Sequence, residues 1–443
     1  MVFMHFHRNK YLKKLIKSQD NGFAKIITGI RRSGKSYLLN TLFRNHLIST
    51  GVDWSNIIFF DLEDAGNALL RDPKNLFDKI VETTPDMSQR YYVFLDEIQK
   101  VYTIVNPALT GGVHKKAKKD DDEVISFVDT VLGLAKRPNL DVYITGSNSK
   151  MLSKDIVTDF RDKATEIHIA PLSFAEFLPA CGLAPEDAYN EFSLHGGMPL
   201  TLYRPDANDK EEYLKQLFST TYMRDIIEHN HFRSEESVEC VAKILASNVG
   251  FLTNCENIAA TFKIGKKDGI NTETVRKYVR AFENAFIVEN AERYDIKGRK
   301  YIGASSKYFF SDIGLRNALM NFTHSDDGPV MENIIYNELR YRGYSVDVGV
   351  EEIIEKNENG NSVRKQAEVD FVATRGSSKY YIQASYDLHS EAKSIQERRP
   401  LVSIPDSFKK IIIVRKSPIR HDEYGITTMG VVEFLSDENS MDR

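Results

Sequence analysis

Gly29-Ile30-Arg31-Arg32-Ser33-Gly34-Lys35-Ser36 fits the spacing G-x-x-x-x-G-K-[ST]. Two glycines let the backbone turn tightly and aim its N–H groups at a phosphate lodged at a helix N-terminus. Lys35 then reaches the β- and γ-phosphates, and the Ser36 hydroxyl ligates magnesium. Every residue from Gly29 to Ser36 is therefore a candidate to line a nucleotide site, with ATP and Mg2+ as its cofactors. The matching acids stand at Tyr91-Tyr92-Val93-Phe94-Leu95-Asp96-Glu97. Asp96, at the carboxyl end of a buried strand, is placed to hold the metal's water shell. Glu97 is placed to orient the attacking water. Lys35 and Glu97 are the expected catalytic residues, and Ser36 and Asp96 the expected metal ligands.

These residues need strands and helices to hold them. Ala24–Thr28 reads as a short buried strand before the loop, and Tyr37–Phe43 as an amphipathic helix after it. Asn56–Asp61 reads as a second strand and Asp141–Thr145 as a fourth, following the acidic one. The fourth runs into Gly146-Ser147-Asn148-Ser149. Ser147 and Asn148 there would sense a γ-phosphate, or serve only in a helix-capping loop. A fifth strand, Glu166–Ile169, follows Arg161. That arginine is either a finger reaching a neighbouring subunit's phosphate, which requires a homo-oligomer, or a plain surface residue. Strands alternating with helices predict an α/β fold with a parallel, doubly wound sheet. Between the acids and the fourth strand, Lys115–Lys119 abuts Asp120–Glu123, the mark of an exposed, mobile insertion.

The chain has 443 residues, 42% apolar and 28% charged, which suits a soluble protein of two or three domains. A net charge of -4 gives no global nucleic-acid signature, so such binding would need a local basic face. Three separated cysteines suggest neither a zinc site nor a disulfide framework. With no apolar window long enough to span a bilayer and no signal-like N-terminus, a cytoplasmic protein without a membrane partner is expected.

The order of motifs resembles a large prokaryotic group of AAA-type, archaeal-ATPase-like proteins that end in a domain of unknown function. The phosphate loop, Leu95-Asp96-Glu97-Ile98-Gln99 and Thr145-Gly146-Ser147-Asn148-Ser149 match it. So do Pro171-Leu172-Ser173-Phe174-Ala175-Glu176-Phe177, His195-Gly196-Gly197-Met198-Pro199 and Thr221-Tyr222-Met223-Arg224-Asp225-Ile226. The resemblance covers nearly the whole chain and implies a magnesium–ATP-binding AAA core, here residues 1–180.

Residues 181–325 read as a helical lid and winged-helix domain. Helices at 237–245, 256–262 and 272–282 precede a hairpin of 287–294 with 307–310. Arg276, Lys277 and Arg280, with Lys297, Arg299 and Lys300, supply a local basic face for DNA; the alternative is a winged helix used only for packing. Residues 326–443 return to helix and strand and resemble the PD-(D/E)xK nuclease fold. That chemistry needs Glu338 and Asp370 as metal ligands, a further acid and a lysine. Gln383 and Ser385 stand in the last two places, which implies a nuclease-like domain without cleavage. The function expected is an ATP-binding switch or motor acting on nucleic acid. The alternatives are an ATP-regulated nuclease in defence or repair, and a protein-binding regulator that never touches nucleic acid.

Overall fold

Runs of five or six apolar residues, flanked by polar turns and too short for buried helices, become strands in the first part of the chain. In the computed structural model these are β1 (Ala24–Thr28), β2 (Ile57–Asp61), β3 (Tyr91–Asp96) and β6 (Leu140–Thr145), joined by the two-residue strands β4 (Ile104–Val105) and β5 (Val124–Ile125) and the more polar β7 (Ala164–His168). The structure describes residues 6–118, 120–146, 160, 163–265, 269–303, 305–323, 326–356, 362–388 and 390–443. Five strands form one sheet in the order β2-β3-β6-β1-β7, and all their pairings are parallel. Every residue of β3 and β6 is buried, as a parallel sheet covered on both faces requires. The strands' carboxyl ends share one edge, where open α/β sheets bind ligands.

Helix Lys35–Tyr37 starts at the phosphate loop and continues through a π-helical stretch, Leu38–Phe43, into helix Arg44–Ser49. Leu38, Leu39 and Phe43 bury the face that meets the sheet. The charged insertion is more regular than its composition suggests. β4 and β5 pair antiparallel, and Ile104 bridges Lys116, so backbone pairing organises the described residues of this excursion.

The chain divides into two compact units: His7–Ala170, just described, and Pro171–Arg443, with which Phe6 belongs. In the second unit, Ser173 and Glu176 cap the helix Phe174–Cys181 reciprocally. Gly196 and Gly197 are required by close approach. A Cβ on Gly196 would fall 2.3 Å from Asp312 Oδ1, and one on Gly197 2.2 Å from the Leu172 carbonyl oxygen. Asp312 Oδ2 accepts the Gly197 N–H at 2.7 Å. The two diagnostic motifs of this region are thus a helix cap and a glycine packing point.

Helices Glu235–Ser247, Cys255–Gly265 and Thr272–Asn284 follow. The remaining strands are β8 (Val288–Ala291), β9 (Arg293–Asp295), β10 (Lys300–Tyr301), β11 (Lys307–Phe310), β12 (Ser345–Lys356), β13 (Ser362–Arg375), β14 (Ser378–Ser385), β15 (Lys409–Val414), β16 (Arg420–His421) and β17 (Ile426–Gly430). β8 pairs antiparallel with β11. The hairpin strand expected to reach residue 294 breaks after Ala291. Arg293–Asp295 instead pairs with β12, which would otherwise present an unpaired edge. β9 and β10 thereby join an eight-stranded sheet, β10-β9-β12-β13-β14-β15-β17-β16. Among the described residues, no helix is long and apolar enough to cross a membrane.

Candidate functional site

The phosphate loop leaves β1 through Gly29, whose φ of 138° is open to glycine and whose absent Cβ lets the Ile169 carbonyl oxygen approach. Gly34, at φ 99°, starts the helix, and nothing lies within 4 Å of where its Cβ would stand. Lys35 is buried and donates to the Gly29 and Ile30 carbonyl oxygens, both at 2.9 Å. Burial lowers its pKa to about 8, although Glu97 and Asp96 pull the other way.

Asp96 closes β3 next to the loop. Burial raises its pKa, while hydrogen bonds from the Thr145 and Ser36 hydroxyls oppose that rise. Glu97 follows with φ 55° and ψ 47°, a left-handed conformation that is costly for a residue with a Cβ. Its Oε2 accepts a hydrogen bond from the Gln99 amide. Thr145 and Gln99 stand inside the matched motifs, but no role is legible for them there; the register of β6 beside β3 and the short turn Ile98–Lys100 bring them to the acids.

The oxygen set fits a magnesium–nucleotide complex. One hydroxyl and two carboxylates stand beside a cationic loop, and the buried Ser33 Oγ has no hydrogen-bond partner among the described residues. Ser36 and Asp96 would hold the metal, which would neutralise phosphate charge when bound. Ile30 and Ser33 are buried in the loop, and Arg31 lies 3.9 Å from Glu63. Arg32 takes a left-handed φ of 61°. Ser147, Asn148 and Arg161 lie outside the described residues.

In the second unit, Arg276 is engaged by Glu273 at 2.6 Å, whereas Lys277, Arg280, Lys297, Arg299 and Lys300 are exposed. The carboxylates expected to form a nuclease-like metal site are not brought together as that chemistry requires. Glu338 pairs with Arg342 at 2.7 Å, and Arg342 also reaches Ser440. Asp370 instead faces Lys307, which lies 3.2 Å from it, 2.7 Å from Glu332 and 2.7 Å from Glu368. Burial works to lower the Lys307 pKa, but the three carboxylates outweigh it and hold the ammonium charged. Gln383 donates to Glu397 at 3.0 Å. Among the described residues, no cluster of three or more His, Cys, Asp or Glu side chains is placed to hold a metal ion.

A parallel sheet with a phosphate loop and an acidic strand at its carboxyl edge defines a P-loop nucleotide-binding protein of the AAA class. Residues 21–178 match the AAA domain family, and residues 186–326 match a domain of unknown function, DUF8612. An uncharacterized protein of Haemophilus influenzae is 31% identical over 436 residues, covering 97% of this chain and 98% of the relative. The chain belongs to the same family as that protein. An uncharacterized protein of Methanocaldococcus jannaschii is 27% identical over 382 residues, covering 83% of this chain and 76% of that one. Among solved structures, Aeropyrum pernix ORC1 in complex with DNA overlaps 71% of this chain and 92% of its own, at 11% identity and a TM-score of 0.32. Caenorhabditis elegans PCH-2 overlaps 43% and 48%, at 14% identity and a TM-score of 0.26.

Proposed function

We propose that this chain is a magnesium-dependent ATPase of the cytoplasm, working as a nucleotide-controlled switch or small motor on nucleic acid. The observation that carries the reading is the placement of Asp96, held by Thr145 of β6, the strand between β3 and the phosphate loop's own strand β1. It brings a metal-binding acid to the sheet edge that carries the phosphate cradle, with Glu97 one residue further on to orient water. Lys35 and Glu97 carry catalysis, and Gly29–Ser36 hold the phosphates. Ser147 and Asn148 sense the γ-phosphate. Arg161 acts in trans within a homo-oligomer, so activity per subunit rises with protein concentration and Arg161→Ala removes the rise. A wild-type rate that stays flat across the monomer–oligomer transition would exclude that role.

The three helices before β8, followed by the β8–β11 pair, are read as a winged helix that binds DNA. Exposed Lys277 and Arg280, with Lys297, Arg299 and Lys300, support that reading. The last sheet is read as a nuclease-like domain without cleavage, supported by the ammonium of Lys307 among its carboxylates. Mobility shifts on DNA and RNA, with and without ATP, test the whole. ATP-dependent, salt-sensitive binding that weakens in a Lys277→Glu, Arg280→Glu variant is expected. Absence of nucleic-acid binding at low salt would favour a regulator that acts on a protein partner.

A further inference from the structure

The acidic pair is held by a residue from another strand. Thr145 is the last residue of β6, the strand between β3 and β1. Its register places it opposite Ile27, two residues before the phosphate loop begins. Its side chain is fully buried. The hydroxyl donates to Asp96 Oδ1 and accepts the Glu97 N–H at 3.3 Å. An ionised carboxylate can only accept, so the direction of the first bond is set. That leaves a hydroxyl lone pair for the Glu97 N–H, and one oxygen serves both acids.

We infer that Thr145 is a positioning residue for ATP hydrolysis, coupling the metal ligand Asp96 to the water-orienting Glu97. This rests on the ATPase reading and goes beyond it. Two physical consequences follow from the geometry. Held by Thr145, the Asp96 carboxylate keeps one orientation toward the phosphate loop. Held at its N–H, Glu97 is fixed in the left-handed conformation that determines where its side chain emerges. Valine has the shape of threonine without the hydroxyl and would remove both restraints; serine would keep them.

The test compares wild type, Thr145→Val and Thr145→Ser by two measurements. The first is Mn2+ affinity in the presence of ADP, read by electron paramagnetic resonance, which requires no turnover. Thr145→Val should weaken Mn2+ binding about 10- to 100-fold, as loss of a metal ligand's hydrogen-bond partner does elsewhere. Metal-free ADP affinity should stay within about twofold, and Thr145→Ser should restore Mn2+ binding. The second measurement is steady-state hydrolysis, where kcat should fall in Thr145→Val with little change in KM. Thermal melting of all three proteins separates misfolding from mispositioning, with Thr145→Ser as the folded comparator. Unchanged Mn2+ affinity in Thr145→Val, or failure of Thr145→Ser to restore it, overturns the inference. A wild-type protein that binds Mn2+–ADP but hydrolyses no ATP would overturn the hydrolytic role, and would contradict the ATPase reading separately through the absence of wild-type turnover.

Discussion

The Lys35 ammonium lies 2.9 Å from the Gly29 carbonyl oxygen, folded back onto the loop that it closes. Its pKa of about 8 reflects burial without a full countercharge. Phosphate oxygens would supply that charge and raise the pKa on binding. The contribution of Lys35 to ATP affinity is therefore complete below pH 8 and declines above it, where binding must take up a proton. Calorimetry at pH 8.5 in two buffers of different ionisation enthalpy should reveal that uptake. Lys35→Ala should abolish it and weaken ATP binding at least ~10-fold, since a hydrogen bond to a charged group contributes about 1.5–3 kcal/mol. Equal affinity in mutant and wild type would remove Lys35 from the site.

Glu97→Gln separates binding from chemistry. The amide keeps the size of the side chain and cannot take a proton from water. ATP should stay bound while hydrolysis falls roughly 10²–10⁴-fold, the contribution of a positioned base. A variant that turns over at the wild-type rate would show that another group activates the water.

Lys307 is the cation shared by Glu332, Glu368 and Asp370, so Lys307→Met should be strongly destabilising. Removing one partner from a buried charge cluster costs about 3–5 kcal/mol, and denaturant unfolding would read the loss. The same arrangement predicts no magnesium- or manganese-dependent cleavage of plasmid, single-stranded DNA or RNA. Cleavage that disappears in Asp370→Ala would place an ATP-regulated nuclease first.

Asp312 provides a pH signature of folding. Burial raises its pKa to about 6, against backbone N–H bonds from Gly197 and Leu315 that favour the charged form. A carboxyl with a raised native pKa contributes most below its unfolded value of about 3.9, and that contribution is lost as pH rises through 6. Wild type should therefore lose stability relative to Asp312→Asn between pH 4 and about 6.5. Parallel melting curves for the two proteins across that window would contradict the assignment.

The sequence alone determined the phosphate loop, the acidic pair and the strand order that alternates with helices. Those features depend on local spacing: glycines where φ is positive, a lysine at a helix start, and acids at the exit of an apolar run. β1, β3 and β6 lie within a residue or two of their expected limits for the same reason. What the tertiary structure decided was which side chains meet. Thr145 reaches Asp96 through the register of two strands far apart in the chain. Lys307 meets Asp370 because β11 and β13 converge in space, and Glu332, not Glu338, faces that point. β9 left its expected hairpin because an open edge on β12 offered backbone partners. Such pairings are set by long-range packing and by the need to satisfy buried polar groups, and no local spacing encodes them.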